Sequence, residues 1–255
     1  HAEIVGIDVA AARALPGVAT VVTAEDVPGL NRFGRLLKDQ PVLADDKVRQ
    51  IGEAVAAVAA TSPEIAAEAL SLLHVEYRVL PPVLDPEEAL RDDGPLVHDG
   101  GNILVENEYA WGDADAGLAA ADLVIDETYT TPWCEHAYME PEAALAYVDG
   151  QGRLVIRTAT QHSFLHRSTV AETMGLDEER VRIVPTVIGG AFGGKTDVTC
   201  QCIVALLALK AGRPVKIVYT RAESFASTTK RHPFKIRCRT GVTRDGRLTA
   251  MKAEM

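Results

Sequence analysis

Residues 189–196 read Gly-Gly-Ala-Phe-Gly-Gly-Lys-Thr. The run satisfies G-x-x-x-x-G-K-[ST], with Gly189, Gly194, Lys195 and Thr196 in the fixed places, the spacing of a phosphate-cradling P-loop. In that chemistry, backbone N–H groups and the start of a following helix hold the anion. Four glycines around one Phe exceed what a plain strand–helix turn needs. Glycine permits torsions and close approaches forbidden to other residues, so the run suggests something bulky docked against the main chain. A strand at 182–184 leads in and a helix is expected from about Asp197, which suits a P-loop. The acid does not fit. Leu123-Val124-Ile125-Asp126-Glu127 resembles the segment whose Asp holds Mg²⁺, but it precedes the loop, and Val215 to Thr220 offers no acid after it. An NTPase using Gly189–Thr196 is the weaker reading, and a ligand-free assembly module is a third.

Other constellations offer less. His162 and His166 stand at i, i+4 on an expected helix, but no third ligand or general-base Glu accompanies them; they read as solvated or packing histidines. Glu140 and Glu142 could be paired carboxylates and read instead as structural. Lys195, outside the P-loop reading, is expected to contact backbone or an ion-pair partner. The four cysteines, Cys134, Cys200, Cys202 and Cys238, form no C-x-x-C and no zinc spacing. They read as free thiols and supply no ligand set for an iron–sulfur cluster.

The elements that must position these residues alternate along the chain. Strands are expected at Ile4 to Val9, Val18 to Val22 and Glu53 to Ala60, with an alanine-rich helix at Val9 to Leu15. Ser62-Pro63-Glu64 supplies an N-cap, a first-position proline and an early acid, so a helix should run to about Leu73. A half-buried strand, Val75 to Val79, ends at Pro81-Pro82. The turn-rich stretch 91–102 reads as a linker. Beyond it, strands are expected at Asn107 to Trp111, Leu123 to Thr131, Ala143 to Val148 and Leu154 to Ala159, the last two joined by a hairpin turn at 149–152. A helix from His162 to Met174 should close at Gly175. Next come strand Val181 to Val187, the glycine loop, a helix from Asp197 to Lys210 ending at Gly212, and strands at Pro214 to Tyr219 and Lys235 to Val242. Two α+β units joined near residue 100 are expected.

The 255 residues carry 47% hydrophobic and 24% charged residues and a formal net charge of -10. That composition can bury a sizeable core and argues against a nucleic-acid surface, which wants a basic stripe. No apolar run approaches the roughly 20 residues of a membrane span. A soluble, acidic, cytoplasmic protein is expected. The chain opens His1-Ala2-Glu3 and stops at Met255 in a strand-like run, so both ends read as cut from a longer protein.

Several strings occur together: Glu135-His136-Ala137-Tyr138-Met139-Glu140-Pro141-Glu142, Thr160-Gln161, the glycine loop, and Arg231-His232-Pro233-Phe234. In this order the chain resembles, over essentially its whole length, the molybdenum-cofactor subunit of the xanthine dehydrogenase / aldehyde oxidase family of molybdenum hydroxylases. The resemblance implies an α+β fold: an α/β-hammerhead domain over 1–98, then a mixed, mostly antiparallel first molybdopterin-binding domain over 99–255. It implies that Gln161 lies near the molybdenum through its side-chain amide, and that Gly190, Ala191, Phe192 and Gly193 line the cofactor, with the Phe192 backbone nearest the metal centre. A neutral amide donates to a metal oxygen ligand without adding charge, and a loop without side chains does so through N–H groups.

Purine-oxidising members of that family place a glutamate directly after the loop lysine; here the substrate-side residue is Thr196. The resemblance therefore leaves aldehydes or other N-heterocycles ahead of xanthine. It further implies hydroxylation with water-derived oxygen, and electrons leaving through [2Fe–2S] clusters and FAD on other segments or subunits. The family's base glutamate is expected beyond Met255 in a remaining C-terminal molybdopterin domain, so no residue of this chain is assigned as catalytic and the 255 residues alone are expected to be inactive. The full enzyme is expected to be oligomeric. The fold discriminates the readings: an NTPase needs a parallel sheet with the loop on its leading strand, whereas the hydroxylase needs Gln161 beside the glycine loop.

Overall fold

The computed structural model describes residues 1–255. In chain order it holds β1 (Ala2–Asp8), α1 (Ala10–Ala14), β2 (Val18–Thr23), β3 (Arg32–Phe33), β4 (Gln40–Pro41), β5 (Lys47–Val48), β6 (Ala56–Ala60), α2 (Pro63–Ser71), β7 (His74–Val79), α3 (Pro86–Ala89), α4 (Ala114–Ala119), β8 (Leu123–Thr131), β9 (Ala143–Val148), β10 (Leu154–Thr158), α5 (Ser163–Met174), β11 (Val181–Pro185), α6 (Gln201–Ala211), β12 (Val215–Val218), α7 (Arg221–Ser227), β13 (Phe234–Val242) and β14 (Leu248–Glu254). The residues group into two units, His1–Gly100 with His136–Thr229, and Gly101–Glu135 with Lys230–Met255. No helix is long and apolar enough to cross a membrane.

Local chemistry sets the elements that frame the loop. Ser62 caps α2 by accepting from the Ile65 N–H, with Pro63 at the first position, which satisfies one of the orphan donors of the first turn. Gly175 and Gly212 close α5 and α6 in the left-handed region, where a Cβ would be strained. The Asp149 carboxylate accepts from the N–H groups of Gln151 and Arg153, fixing the turn that makes β9 and β10 antiparallel partners.

The first unit is built on a four-stranded sheet of order β11-β10-β9-β12. Only the β10–β11 pair is parallel; the other two pairs are antiparallel. Helix α6 is buried along most of its length, including Cys202, Ile203, Val204, Leu206 and Leu207. Each such large aliphatic side chain contributes about 1.5–3 kcal/mol through area removed from water. The same core continues into Val22, Phe33, Leu43 and Ala57, so residues from both sides of position 98 share one interior. A smaller cluster of Ala12, Val21 and Ala69 lies under α1 and α2. The strands β5-β1-β7 form a separate sheet.

The second unit pairs β14-β13-β8 antiparallel. Its helix α4 is capped by Asp113 and buries Leu118. The architecture is α+β, mixed and mostly antiparallel.

Four expectations need correction. Asn107 to Trp111 is not a strand: it is exposed and has no neighbouring strand, and apolar alternation without a ladder partner does not hold an extended segment. β7 is exposed at every position but Val75, so its alternation marks pairing with β1 and not a buried face. β11 stops at Pro185, before Val187. Helix α6 begins at Gln201 instead of Asp197, because turns continue the loop through Thr199, whose N–H bonds the Gln201 Oε1.

Candidate functional site

The loop leaves the end of β11 and reaches α6 through two tight turns, Gly194 N–H to Ala191 O at 2.8 Å and Thr196 N–H to Gly193 O at 3.2 Å. Gly190, Phe192 and Gly193 adopt positive φ, at 94°, 51° and 97°. For Phe192 this left-handed conformation costs about 1–2 kcal/mol, and its side chain is 76% exposed, so burial does not repay the strain. The N–H groups of Gly190, Ala191, Phe192 and Gly193 have no acceptor in the protein. Four successive open donors, three of them on residues with positive φ, make a main-chain surface suited to oxygen-rich anionic ligands.

Gln161 follows β10 and stands directly against this loop. Its N–H donates to Lys195 O at 3.0 Å, and its Oε1 accepts from Lys195 N–H at 3.2 Å. With Oε1 committed, the Nε2 amide is left as an exposed donor with no protein acceptor. The structure thus brings Gln161 together with the segment containing Gly190, Ala191, Phe192 and Gly193. Thr196 sits at the far end of the same loop, half-buried, with its carbonyl accepting from His166 Nε2 at 3.0 Å.

Lys195 points inward and is only 4% exposed. Its ammonium donates to Glu140 O at 2.9 Å and Glu140 Oε2 at 2.8 Å, and lies 4.6 Å from the Tyr138 ring centroid. Glu140 Oε2 also accepts from Gly189 N–H at 2.8 Å. Burial alone would raise the Glu140 carboxyl; the Lys195 ammonium and the Gly189 N–H outweigh it and hold the group below the usual carboxylate range. An ideal Cβ on Gly189 would stand 2.6 Å from Glu140 Cβ, and one on Gly194 would stand 2.7 Å from Tyr138 Cε1. These two glycines are required for contact with the 136–140 strip.

Residues below the loop, expected from sequence to be structural or packing groups, are buried. Tyr138 is 1% exposed and its hydroxyl donates to Glu142 Oε1. Glu142 is 3% exposed and its Oε2 has no partner. It lines a cavity of about 10 Å³ with Thr158, Lys195, Asp197, Thr199 and Gln201, room for about one water. His166 is fully buried, and with Nε2 donating to Thr196 O its Nδ1 is left without a partner. Burial lowers its pKa, more than the bond to Thr196 raises it. The sequence marks Glu142 as structural, within the string Glu135 to Glu142, and His166 as a solvated or packing histidine; nothing local ties His166 to the loop carbonyl of Thr196. His162 is exposed on the same helix, while His166 Nε2 is committed to the loop, so the pair is no metal site.

The P-loop reading fails on this geometry. Lys195 is buried against Glu140, and α6 starts six residues after it, too far on for its N-terminus to close over the loop. Asp126 is held by Arg237 and Arg239 on β13.

Comparison with known proteins agrees. Residues 97–255 match the molybdopterin cofactor-binding domain family, and residues 1–81 match the a/b hammerhead domain of aldehyde oxidase and xanthine dehydrogenase. The chain is 42% identical over 255 residues to the nicotinate dehydrogenase large molybdopterin subunit of Eubacterium barkeri, covering all of this chain and 60% of that protein. It is 47% identical over 250 residues to a probable xanthine dehydrogenase subunit of Bacillus subtilis (strain 168), covering 98% of this chain and 34% of that one. The solved aldehyde oxidoreductase from Desulfovibrio gigas superposes with a TM-score of 0.90 at 30% identity, covering 99% of this chain and 29% of that chain. The chain therefore spans between under a third and about three-fifths of the length of these relatives. The glycine loop with its open donors lies inside the matched 97–255 segment, and the chain belongs to the molybdopterin cofactor-binding family of the aldehyde oxidase and xanthine dehydrogenase type.

Proposed function

We propose that this chain forms one wall of the molybdenum site in a hydroxylase that oxidises an aldehyde or an N-heterocycle carbon with oxygen drawn from water. One observation carries the reading: a neutral amide at Gln161 and four open N–H groups at Gly190, Ala191, Phe192 and Gly193 are joined through reciprocal bonds between Gln161 and Lys195. These donors fit a cofactor whose metal end presents oxygen ligands, since they add hydrogen bonds without adding charge. Gln161 and the Phe192 backbone would stand nearest the metal, and Thr196 on the substrate side. When bound, the cofactor supplies the two-electron oxidation of the substrate carbon. The residues of this chain hold and orient it.

Thr196 replaces the glutamate with which purine-oxidising relatives bind substrate, and its hydroxyl supplies neither that charge nor that reach. This favours aldehydes or non-purine heterocycles; the nicotinate dehydrogenase relative acts on a heterocycle of that kind by its name. On the same reading residues 1–98 form the hammerhead and 99–255 the first cofactor-binding domain. [2Fe–2S] and FAD segments carry electrons away, a further molybdopterin domain supplies the base, and the assembled cytoplasmic enzyme is oligomeric. The 255 residues alone are expected to turn over no aldehyde or heterocycle.

The test is metal analysis and turnover of the full-length, partner-assembled protein with nicotinate, xanthine and benzaldehyde. Molybdenum bound in the wild type and depleted in Gln161→Ala supports the assignment. A wild-type assembly free of molybdenum, or a Gln161→Ala variant with unchanged molybdenum and turnover, overturns it.

A further inference from the structure

We propose that Glu140 and Lys195 are positioning residues of the cofactor site, their ion pair fixing both the donor face of the glycine loop and the orientation of the Gln161 amide. The proposal rests on the cofactor reading above and adds the device that presets the site.

Glu140 joins the two ends of the loop. Its Oε2 takes the Gly189 N–H at 2.8 Å and the Lys195 ammonium at 2.8 Å, its N–H donates to Gly189 O at 3.1 Å, and its carbonyl accepts from the same ammonium at 2.9 Å. The first and seventh residues of the run 189–196 are therefore clamped to one side chain, and the four open N–H groups lie on the arc between them. The Tyr138 ring lies against the ammonium, 4.6 Å away at its centroid. Charge-assisted bonds of this kind are roughly twice as strong as neutral ones. Truncating either partner leaves the other poorly solvated.

Lys195 then passes the constraint to Gln161 through its main chain. Its N–H donates to Oε1 at 3.2 Å and its carbonyl accepts the Gln161 N–H at 3.0 Å. A side-chain amide has two nearly isosteric faces, one donating and one accepting. The Lys195 N–H selects between them: with Oε1 bound, only Nε2 can face outward. Were the amide reversed, it would present an oxygen to the oxygen ligands of the metal and repel them. Lys195 cannot itself be a ligand, since its side chain is buried and its ammonium is already engaged. Its conspicuous place in the phosphate-binding pattern reflects support for the loop.

The experiment uses the full-length, partner-assembled protein and the variants Lys195→Met and Glu140→Gln. Hydrogen exchange is read on cofactor-free preparations; molybdenum content and the Mo(V) EPR spectrum, normalised to molybdenum, are read on loaded ones. Lys195→Met is expected to speed exchange at the Gly189 and Lys195 amides by about tenfold or more, the scale of losing a charged hydrogen bond. Molybdenum content falls severalfold, and the remaining Mo(V) signal shifts as it does in Gln161→Ala. Glu140→Gln, which keeps an oxygen acceptor but loses the charge, shows the same changes at smaller size. A general loss of packing would lower occupancy but leave the normalised Mo(V) spectrum unmoved, and that result overturns the positioning role. Wild-type exchange at Gly189 and Lys195 in both variants also overturns it. If Lys195→Met does not fold, Glu140→Gln decides on the same readouts. A wild type without molybdenum defeats the functional reading alone, because amide exchange still decides whether the pair presets the loop.

Discussion

Replacing Gly194 with alanine tests how tightly the loop is pressed onto the strip beneath it. The added Cβ would lie 2.7 Å from Tyr138 Cε1, 2.9 Å from His136 Nδ1 and 3.0 Å from His136 Cγ. Ordinary carbon contacts settle at about 3.5–4.0 Å, so the rings must retreat by about 0.5–1 Å. Tyr138 has little freedom to do so: it is fully enclosed, its hydroxyl is bonded to Glu142, and the Lys195 ammonium sits against its ring. Overpacking of this kind costs about 1–3 kcal/mol. Lower entropy of the unfolded alanine chain offsets about 0.4–1 kcal/mol, because Gly194 does not need a left-handed backbone. The net loss is about 1–2 kcal/mol, and for a unit of this size that lowers the melting midpoint by about 3–6 °C. Differential scanning fluorimetry reads the shift, with Gly100→Ala as control, since no atom lies within 4 Å of the Cβ added there. A Gly194→Ala midpoint equal to that of the wild type, with the control also unchanged, would refute the claim that close approach dictates glycine at this position.

Three further outcomes follow from the same cluster. Burial holds His166 neutral by lowering its pKa from 6.5, so as pH falls below about 6.5 the unfolded chain takes up a proton before the folded one; stability is lost on acidification through that window, and His166→Gln should flatten this part of the pH profile of urea midpoints. Gln161→Glu keeps an acceptor for the Lys195 N–H but replaces the outward amide donor with charge, so the midpoint should move by less than about 0.5 kcal/mol while molybdenum content falls; unchanged content would remove the amide from the site. Burial raises Cys200 to about 12 and Cys202 to about 11, so iodoacetamide at pH 8 should alkylate exposed Cys134 and leave both buried thiols unmodified by mass spectrometry; rapid labelling of Cys200 or Cys202 in the folded protein would contradict their enclosure.

What the sequence disclosed and what it hid divide along sequence distance. Ser62-Pro63-Glu64, Gly175, Gly212 and Asp149-Gly150-Gln151-Gly152 act within a few residues of themselves, and each produced the expected cap or turn. Asn107 to Trp111 failed because a strand exists only through a neighbour, and none comes to that stretch. The loop shows the same divide within a single motif. Its glycine spacing is local and marked a ligand-facing backbone, but the sense of its lysine is not local. In a P-loop that side chain turns outward to phosphate; here it turns inward because Glu140, 55 residues earlier, supplies a carboxylate and a carbonyl at bonding distance. Two chains can therefore share G-x-x-x-x-G-K-[ST] and do opposite things with its only charge. The deciding information lies in whether an acid waits beneath the loop, and here Tyr138 and Glu140 are placed there by the strip that also carries Glu142. An outward lysine would add a positive charge beside the open donors and draw in free phosphate. An inward one leaves a donor face without net charge from side chains, and that is the face on which a neutral amide such as Gln161 can control orientation.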